Sequence, residues 1–219
     1  MFWNFLMGNT ANPDWANKAH YAHANQQLMS LNHQVRIVLM GNSITEFWEE
    51  THPRFFQDNG LVGRGIGGQV SRQMLVRFRQ DVINLKPLAV IINCGTNDIA
   101  ENNGPYDEDV TMDNIVSMTE LAINNGITVF LSSVLPCDSF CWNTSVKNVT
   151  AKIDSLNKRI REYAALRGVY YIDYHSAMCG EGGAINQAYS EDGVHPNATG
   201  YLVMEKILTE SVLTLIPNP

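Results

Sequence analysis

The sequence predicts an α/β fold with a parallel sheet, and three observations lead there. Short, β-branched apolar runs recur along the chain with little polar alternation, as strands covered on both faces require. Amphipathic stretches with a period of three to four residues lie between those runs. Gly126 and Gly168 close two of the amphipathic stretches, where a helix C-terminal cap belongs. Repeated alternation of strand and helix is the pattern of a sheet flanked by its own crossover helices.

The elements follow in order. Residues 15–31 read as an extra helix packed outside the sheet, which makes residues 1–34 an N-terminal helical extension and residues 35–219 a single domain. Residues 35–40 form the first strand. Residues 61–65 form a weaker second strand that fits beside the first and third. Met74, Phe78, Val82 and Leu85 then recur at helical spacing. Residues 88–94 and 127–134 are the next strands, and Val149, Ile153, Leu156, Ile160 and Tyr163 mark a long helix. Residues 169–174 complete five strands. A last helix after Pro196 carries Leu202, Ile207 and Leu208. No repeat, low-complexity stretch or long linker divides the 219 residues, a length that buries a substantial core in one domain.

Composition narrows the class. An apolar share of 45% with 17% charged residues suits a globular enzyme rather than a disordered chain. The net charge of −7 argues against nucleic acid or an anionic membrane surface as the main partner, because both need a basic face. Arg72, Arg77 and Arg79 cluster, and read as the solvated face of a helix. No apolar run approaches a membrane span. The apolar start, residues 1–7, lacks a basic flank and is a poor signal peptide, which leaves a cytoplasmic protein or an exported mature form equally open. Of four cysteines, Cys94 lies in an apolar strand and reads as a reduced core residue. Cys137 and Cys141 could pair with each other or stay free. A metal site is not expected, because no second Cys/His pair stands at matching spacing.

Four short motifs carry the chemistry. Gly41-Asn42-Ser43-Ile44-Thr45 ends the first strand, so Ser43 stands at the start of a helix, where backbone N–H groups and the helix dipole favour negative charge. Ser43 could equally be a plain helix N-cap. Gly68 follows the second strand, where a glycine lets the backbone approach a ligand and offer its N–H. Asn97, in Gly95-Thr96-Asn97-Asp98, follows the third; its amide can donate to an oxyanion without titrating, or can simply belong to a turn. Asp192 and His195 share a short loop bounded by glycine and proline, which can turn the carboxylate onto one ring nitrogen and leave the other free. Ligands of an open parallel sheet bind beyond the carboxyl ends of its strands, and the first three motifs all sit there. Gly63-Arg64-Gly65-Ile66-Gly67-Gly68 also fits the dinucleotide fingerprint. It follows a second strand rather than a first, however, and Asp81 is too near to serve as the ribose acid.

These motifs together resemble the blocks of the SGNH hydrolases, or GDSL lipase/acylhydrolase family, over about residues 35–210. Gly65-Ile66-Gly67-Gly68, followed by residues 74–78, looks most like the branch related to platelet-activating-factor acetylhydrolase subunits. The resemblance implies a flavodoxin-like three-layer α/β/α sandwich with a five-stranded parallel sheet. It implies Ser43 as nucleophile, His195 as base and Asp192 as its orienting acid. The oxyanion would be met by the N–H groups of Ser43 and Gly68 and by the Asn97 side chain. No cofactor or metal is implied. One residue departs from the pattern: Asn42 stands where the family usually has aspartate.

The expected activity is therefore that of a serine esterase acting on a small-molecule ester. Acetyl or another short acyl group is favoured, possibly carried on a carbohydrate, since no lid-like insertion or amphipathic membrane helix stands out. Lysophospholipase or thioesterase activity at the same site, and a non-catalytic binding module on the same fold, are the alternatives. Phe140 and Trp142, in the loop of residues 136–145, are expected to overhang the site, where an aromatic ring could stack on a sugar or merely anchor the loop. Trp48 and Tyr106 are open to the same two readings. The oligomeric state is not legible.

Overall fold

Five parallel strands form one sheet in the order β2-β1-β3-β4-β5. The structure, a computed structural model, describes residues 14–31 and 34–218. The apolar start, with the rest of residues 1–13, lies outside the described residues. The strands are β1 (Ile37–Gly41), β2 (Leu61–Gly65), β3 (Ala89–Ile92), β4 (Thr128–Ser132) and β5 (Tyr170–Ile172). Each lies inside, or coincides with, an apolar run, except that β1 extends one residue further, to Gly41. The runs continue past the strand ends, where flanking residues still bond across the sheet: Leu88 N–H to Val35 C=O at 3.1 Å, Asn93 N–H to Met40 C=O at 2.9 Å.

Why the runs lack polar alternation is plain from the two cores. Val38, Met40, Val90, Ile92, Val129 and Leu131 pack on one face. Ile37, Leu39, Ala89, Ile91 and Phe130 pack on the other. Successive side chains point to opposite faces, and both faces are covered, so both sets must be apolar.

The first face is covered by α4 (Ser71–Asp81), α6 (Glu108–Asn124) and α7 (Val149–Arg167). The second is covered by α2 (Ser43–Thr51), α3 (Pro53–Asp58), α8 (Tyr174–Met178) and α9 (Ala198–Leu208). A single short turn, α5 (Thr96–Ile99), follows β3. The result is a three-layer α/β/α sandwich. Gly168 closes α7 at φ 66°, in the left-handed region a C-terminal cap needs. The helix expected over residues 15–31 is shorter than its pattern: turns occupy its first part, and α1 is Ala22–Ser30.

Two expectations about side chains need correction. Leu208 is buried and Ile207 packs against the core, but Leu202 is 57% exposed, and Tyr201 and Met204 take the inward positions of that turn of α9. Arg77 is not solvated. It is fully buried and pairs with Asp81 at 2.8 Å. Residues 74, 77, 78 and 81 share one face of α4, so the core-facing stripe of Met74 and Phe78 carries this ion pair with it.

The strand order places a switch point between β1 and β3. The chain leaves β1 toward β2 on one side and returns through β3 on the other. The crevice beyond the carboxyl ends of these strands is where an open sheet binds its ligands. No helix among the described residues is long and apolar enough to cross a membrane.

Candidate active site

Ser43 is the first residue of α2, directly beyond β1. The capping role falls on its neighbour: the Asn42 side chain accepts from the Ile44 N–H at 3.0 Å. Asn42 thereby performs the hydrogen bonding an aspartate would perform there, without the charge. Relieved of capping, Ser43 turns its hydroxyl to His195, with Oγ 2.9 Å from Nε2.

His195 reaches that point from the loop before α9. Its Nδ1 lies 2.6 Å from Asp192 Oδ2. The other carboxylate oxygen accepts from the backbone N–H groups of Val194 (2.9 Å) and His195 (2.8 Å), and from the Ser190 hydroxyl at 3.2 Å. Partial burial would raise the Asp192 carboxyl. The His195 ring and these two N–H groups outweigh it and hold the pKa at about 2. An ionised carboxylate can only accept, so Nδ1 carries the proton and donates it. Nε2 is then the ring nitrogen that faces the Ser43 hydroxyl, placed to accept its proton.

The other side of the crevice is built from β2 and β3. After β2 the chain turns at Gly68, whose φ of +75° a glycine adopts without strain. A Cβ on Gly67 would stand 3.8 Å from Ser43 Cβ, so this loop lies against the serine. Glu46 accepts the Gly67 N–H at 2.7 Å and Ile66 C=O accepts the Gln69 N–H at 3.3 Å. Between them, the N–H of Gly68 has no protein acceptor among the described residues, and neither has that of Ser43. Asn97, 4% exposed, donates from Nδ2 to Gln69 C=O at 3.0 Å, which occupies one of its two amide hydrogens. Asp98 fastens the same turn to α4: its carboxylate takes the Ser71 N–H (2.9 Å) and hydroxyl (2.6 Å). Burial nevertheless raises the Asp98 carboxyl above its usual range.

The aromatic expectations divide. Trp142 is 45% exposed and its ring lies 6.2 Å from that of His195. Phe140, expected beside it at the site, is instead buried in the core, as is Trp48. Tyr106 is half-buried against the core. Phe47, missed in the sequence, is 40% exposed and 5.3 Å from His195. Its signal was available: four residues after Ser43 on one helix, it shares that residue's face, while Trp48 is turned inward. Asn102 was missed as well. It follows Asn97 by five residues in a turn that reads as loop. Cys137 is a free, buried thiol pushed up to about 12, mainly by burial; Cys141 is free and exposed.

The arrangement has the parts for acyl transfer: a hydroxyl on a base, a base held by an acid, and N–H donors across the crevice. Comparison with known proteins agrees in kind. The model of the GDSL-like lipase/acylhydrolase family matches residues 39–203. A crystal structure from Bacteroides fragilis, provisionally described as an acylhydrolase, is 51% identical with a TM-score of 0.88, over 93% of this chain and 99% of that one. A GDSL-like lipase from Bacteroides thetaiotaomicron is 48% identical with a TM-score of 0.86, over 91% and 98% respectively. An acetylxylan esterase from Xylanibacter ruminicola is 25% identical across 81% of this chain but 43% of its own length. The chain therefore spans less than half of that curated relative.

Proposed function

The chain belongs to the GDSL-like lipase/acylhydrolase family and is a carboxylic ester hydrolase, and from that premise we propose a two-step acyl transfer through Ser43 on a short-chain O-ester. The observation that carries the mechanism is the unbroken hydrogen-bonded line from Asp192 through His195 to Ser43. His195 takes the hydroxyl proton as Ser43 Oγ attacks the ester carbonyl. Asp192 stabilises the imidazolium that results. The oxyanion is met by the N–H groups of Ser43 and Gly68 and by the remaining Nδ2 hydrogen of Asn97. The α2 dipole adds to that stabilisation. His195 returns the proton to the leaving alcohol. Water, activated by the same imidazole, then releases the acyl group.

Two exposed aromatic rings, Phe47 and Trp142, flank His195. Two rings this close to the base favour a compact ester, and a ring face suits the apolar face of a sugar. The acetylxylan esterase relative supports a carbohydrate ester as the substrate class. Placement near the platelet-activating-factor acetylhydrolase branch rests on the Gly65–Gly68 stretch and residues 74–78, and belongs to this proposal.

Hydrolysis of p-nitrophenyl acetate, butyrate and octanoate tests it. Wild type is expected to turn over acetate and butyrate faster than octanoate, and folded Ser43→Ala to lose at least ~10⁴-fold in kcat. Equal rates for wild type and Ser43→Ala would overturn the nucleophile; preference for octanoate would overturn the short-chain assignment.

A further inference from the structure

We propose that Asn102 is a positioning residue of the oxyanion hole, held in its own orientation by the indole N–H of Trp142. The proposal rests on the reading of Asn97 as an oxyanion donor and deepens it.

Four hydrogen bonds link these groups. Asn97 Nδ2 donates to Gln69 C=O at 3.0 Å. Asn102 Nδ2 donates to Asn97 Oδ1 at 3.0 Å and to Gly68 C=O at 3.3 Å. Trp142 Nε1 donates to Asn102 Oδ1 at 2.9 Å. The orientation of both amides follows from the ends of this chain. Backbone carbonyls only accept, and an indole N–H only donates. Gln69 C=O therefore requires the Asn97 nitrogen, which turns the Asn97 oxygen toward Asn102. That oxygen and Gly68 C=O both require the Asn102 nitrogen. The Asn102 oxygen is left for the indole. Rotating either amide by half a turn would set oxygen against oxygen.

The consequence for chemistry is specific. Asn102 touches two separate loops at once, through the Asn97 amide and through the C=O of Gly68, the residue whose N–H is the other loop's donor. It fixes which way the Asn97 amide points and ties that amide to the Gly68–Gln69 peptide, next to the Gly68 N–H. The backbone supports the role: Asn102 N–H donates to Asn97 C=O at 3.1 Å, and Glu101 between them adopts φ 60°, rare for a residue with a side chain. The Trp142 loop is pinned to the same turn a second time, with Asn143 Nδ2 donating to Ala100 C=O at 2.9 Å. The ring that flanks His195 is thus fastened to the group that orients the oxyanion donor.

Asn102 is exposed at the rim of the crevice, so water can replace part of what an alanine removes. An aspartate cannot be replaced in that way, because it sets a carboxylate against two oxygens. Steady-state kinetics on p-nitrophenyl acetate, with melting temperature as the control for folding, separate the outcomes. Asn102→Asp is expected to lower kcat by ~10–100-fold with KM within about twofold of wild type, and Asn102→Ala by less. Trp142→Phe keeps the ring and loses the N–H, and is expected to lower kcat by about threefold to tenfold. In an Asn102→Ala background, Trp142→Phe should cost nothing further in kcat, because the interaction it removes is already gone.

Wild-type kcat in Asn102→Asp, beside a strong loss in Asn97→Ala, would overturn the positioning role and leave the oxyanion assignment standing. A kcat loss for Trp142→Phe that persists undiminished in the Asn102→Ala background would overturn the indole's part. Wild-type kcat in Asn97→Ala would overturn the oxyanion assignment, and this proposal with it.

Discussion

At the scale of single residues, small differences in hydrogen-bonding capacity set the roles at the crevice. Asn97 is useful because its amide has two hydrogens: one is spent on Gln69 C=O and the other remains. Asn97→Ala should therefore cost ~10²–10³-fold in kcat, read by steady-state kinetics. A loss under fivefold would sink that role. Asp192 carries a different prediction, about stability. Its folded pKa of about 2 lies below the ~3.9 of an unfolded aspartate. The sign follows from linkage: the carboxylate stabilises the fold above about pH 4, and that contribution is lost as the pH falls toward 2. Thermal melts of Asp192→Asn from pH 6 to pH 2 should show a flatter acid limb than wild type; an identical limb would contradict the assignment. Much of this was legible in the sequence. Ser43, Asp192 and His195 were marked by position at strand ends and by the spacing of one loop. Asn102 and Phe47 were not, since neither belongs to a motif and their importance comes from contacts the sequence does not display.

At the scale of elements, the site depends on how closely α2 can lie on β2. A Cβ on Gly65 would overlap the backbone of Asn42 and Glu46 at the start of α2. That helix start carries Ser43, so close packing here and placement of the hydroxyl are one requirement. Gly65→Ala should destabilise the protein by about 3 kcal/mol in urea denaturation, because backbone rather than a flexible side chain would have to move. A change below about 0.5 kcal/mol would mean that the helix adjusts freely. Element identity was readable because two-sided burial leaves continuous apolar strands and helical periods. Leu202 of α9 fits the hydrophobic period yet lies exposed, while the better buried Tyr201 carries a hydroxyl. That hydroxyl finds Ile44 C=O at 2.9 Å, which lets a polar group face the core.

At the scale of the molecule, one buried polar cluster joins the N-terminal segment, the strand ends and the glycine loop. Arg77 donates to Gly41 C=O (3.0 Å), Arg64 C=O (2.9 Å) and Gln69 Oε1 (2.6 Å), besides its pair with Asp81. Asp81 in turn accepts from Asn25 of α1 at 2.7 Å, and Ala16 C=O accepts from the Gln69 side chain at 2.8 Å. Burial depresses the Arg77 pKa, but the Asp81 carboxylate opposes the shift and the guanidinium stays paired. Arg77→Leu leaves Asp81 buried with only amide donors and should cost about 3–5 kcal/mol by denaturant unfolding. A cost under 1 kcal/mol would show that the cluster relaxes around the loss. The sequence hid this cluster because arginines on a helix are usually solvated; only the i, i+4 pairing with Asp81 on the Met74–Phe78 face betrayed it. The cluster holds the glycine loop, that loop carries the proposed oxyanion donor Gly68, and the strand it clamps leads to Ser43. These contacts converge on that hydroxyl. The most direct test is to treat the enzyme with a p-nitrophenyl alkylphosphonate, which leaves a stable adduct on an attacking serine, and to locate the adduct by peptide mass spectrometry. A single adduct is expected on Ser43, forming in step with loss of esterase activity. Full inactivation with the adduct on another residue would contradict it.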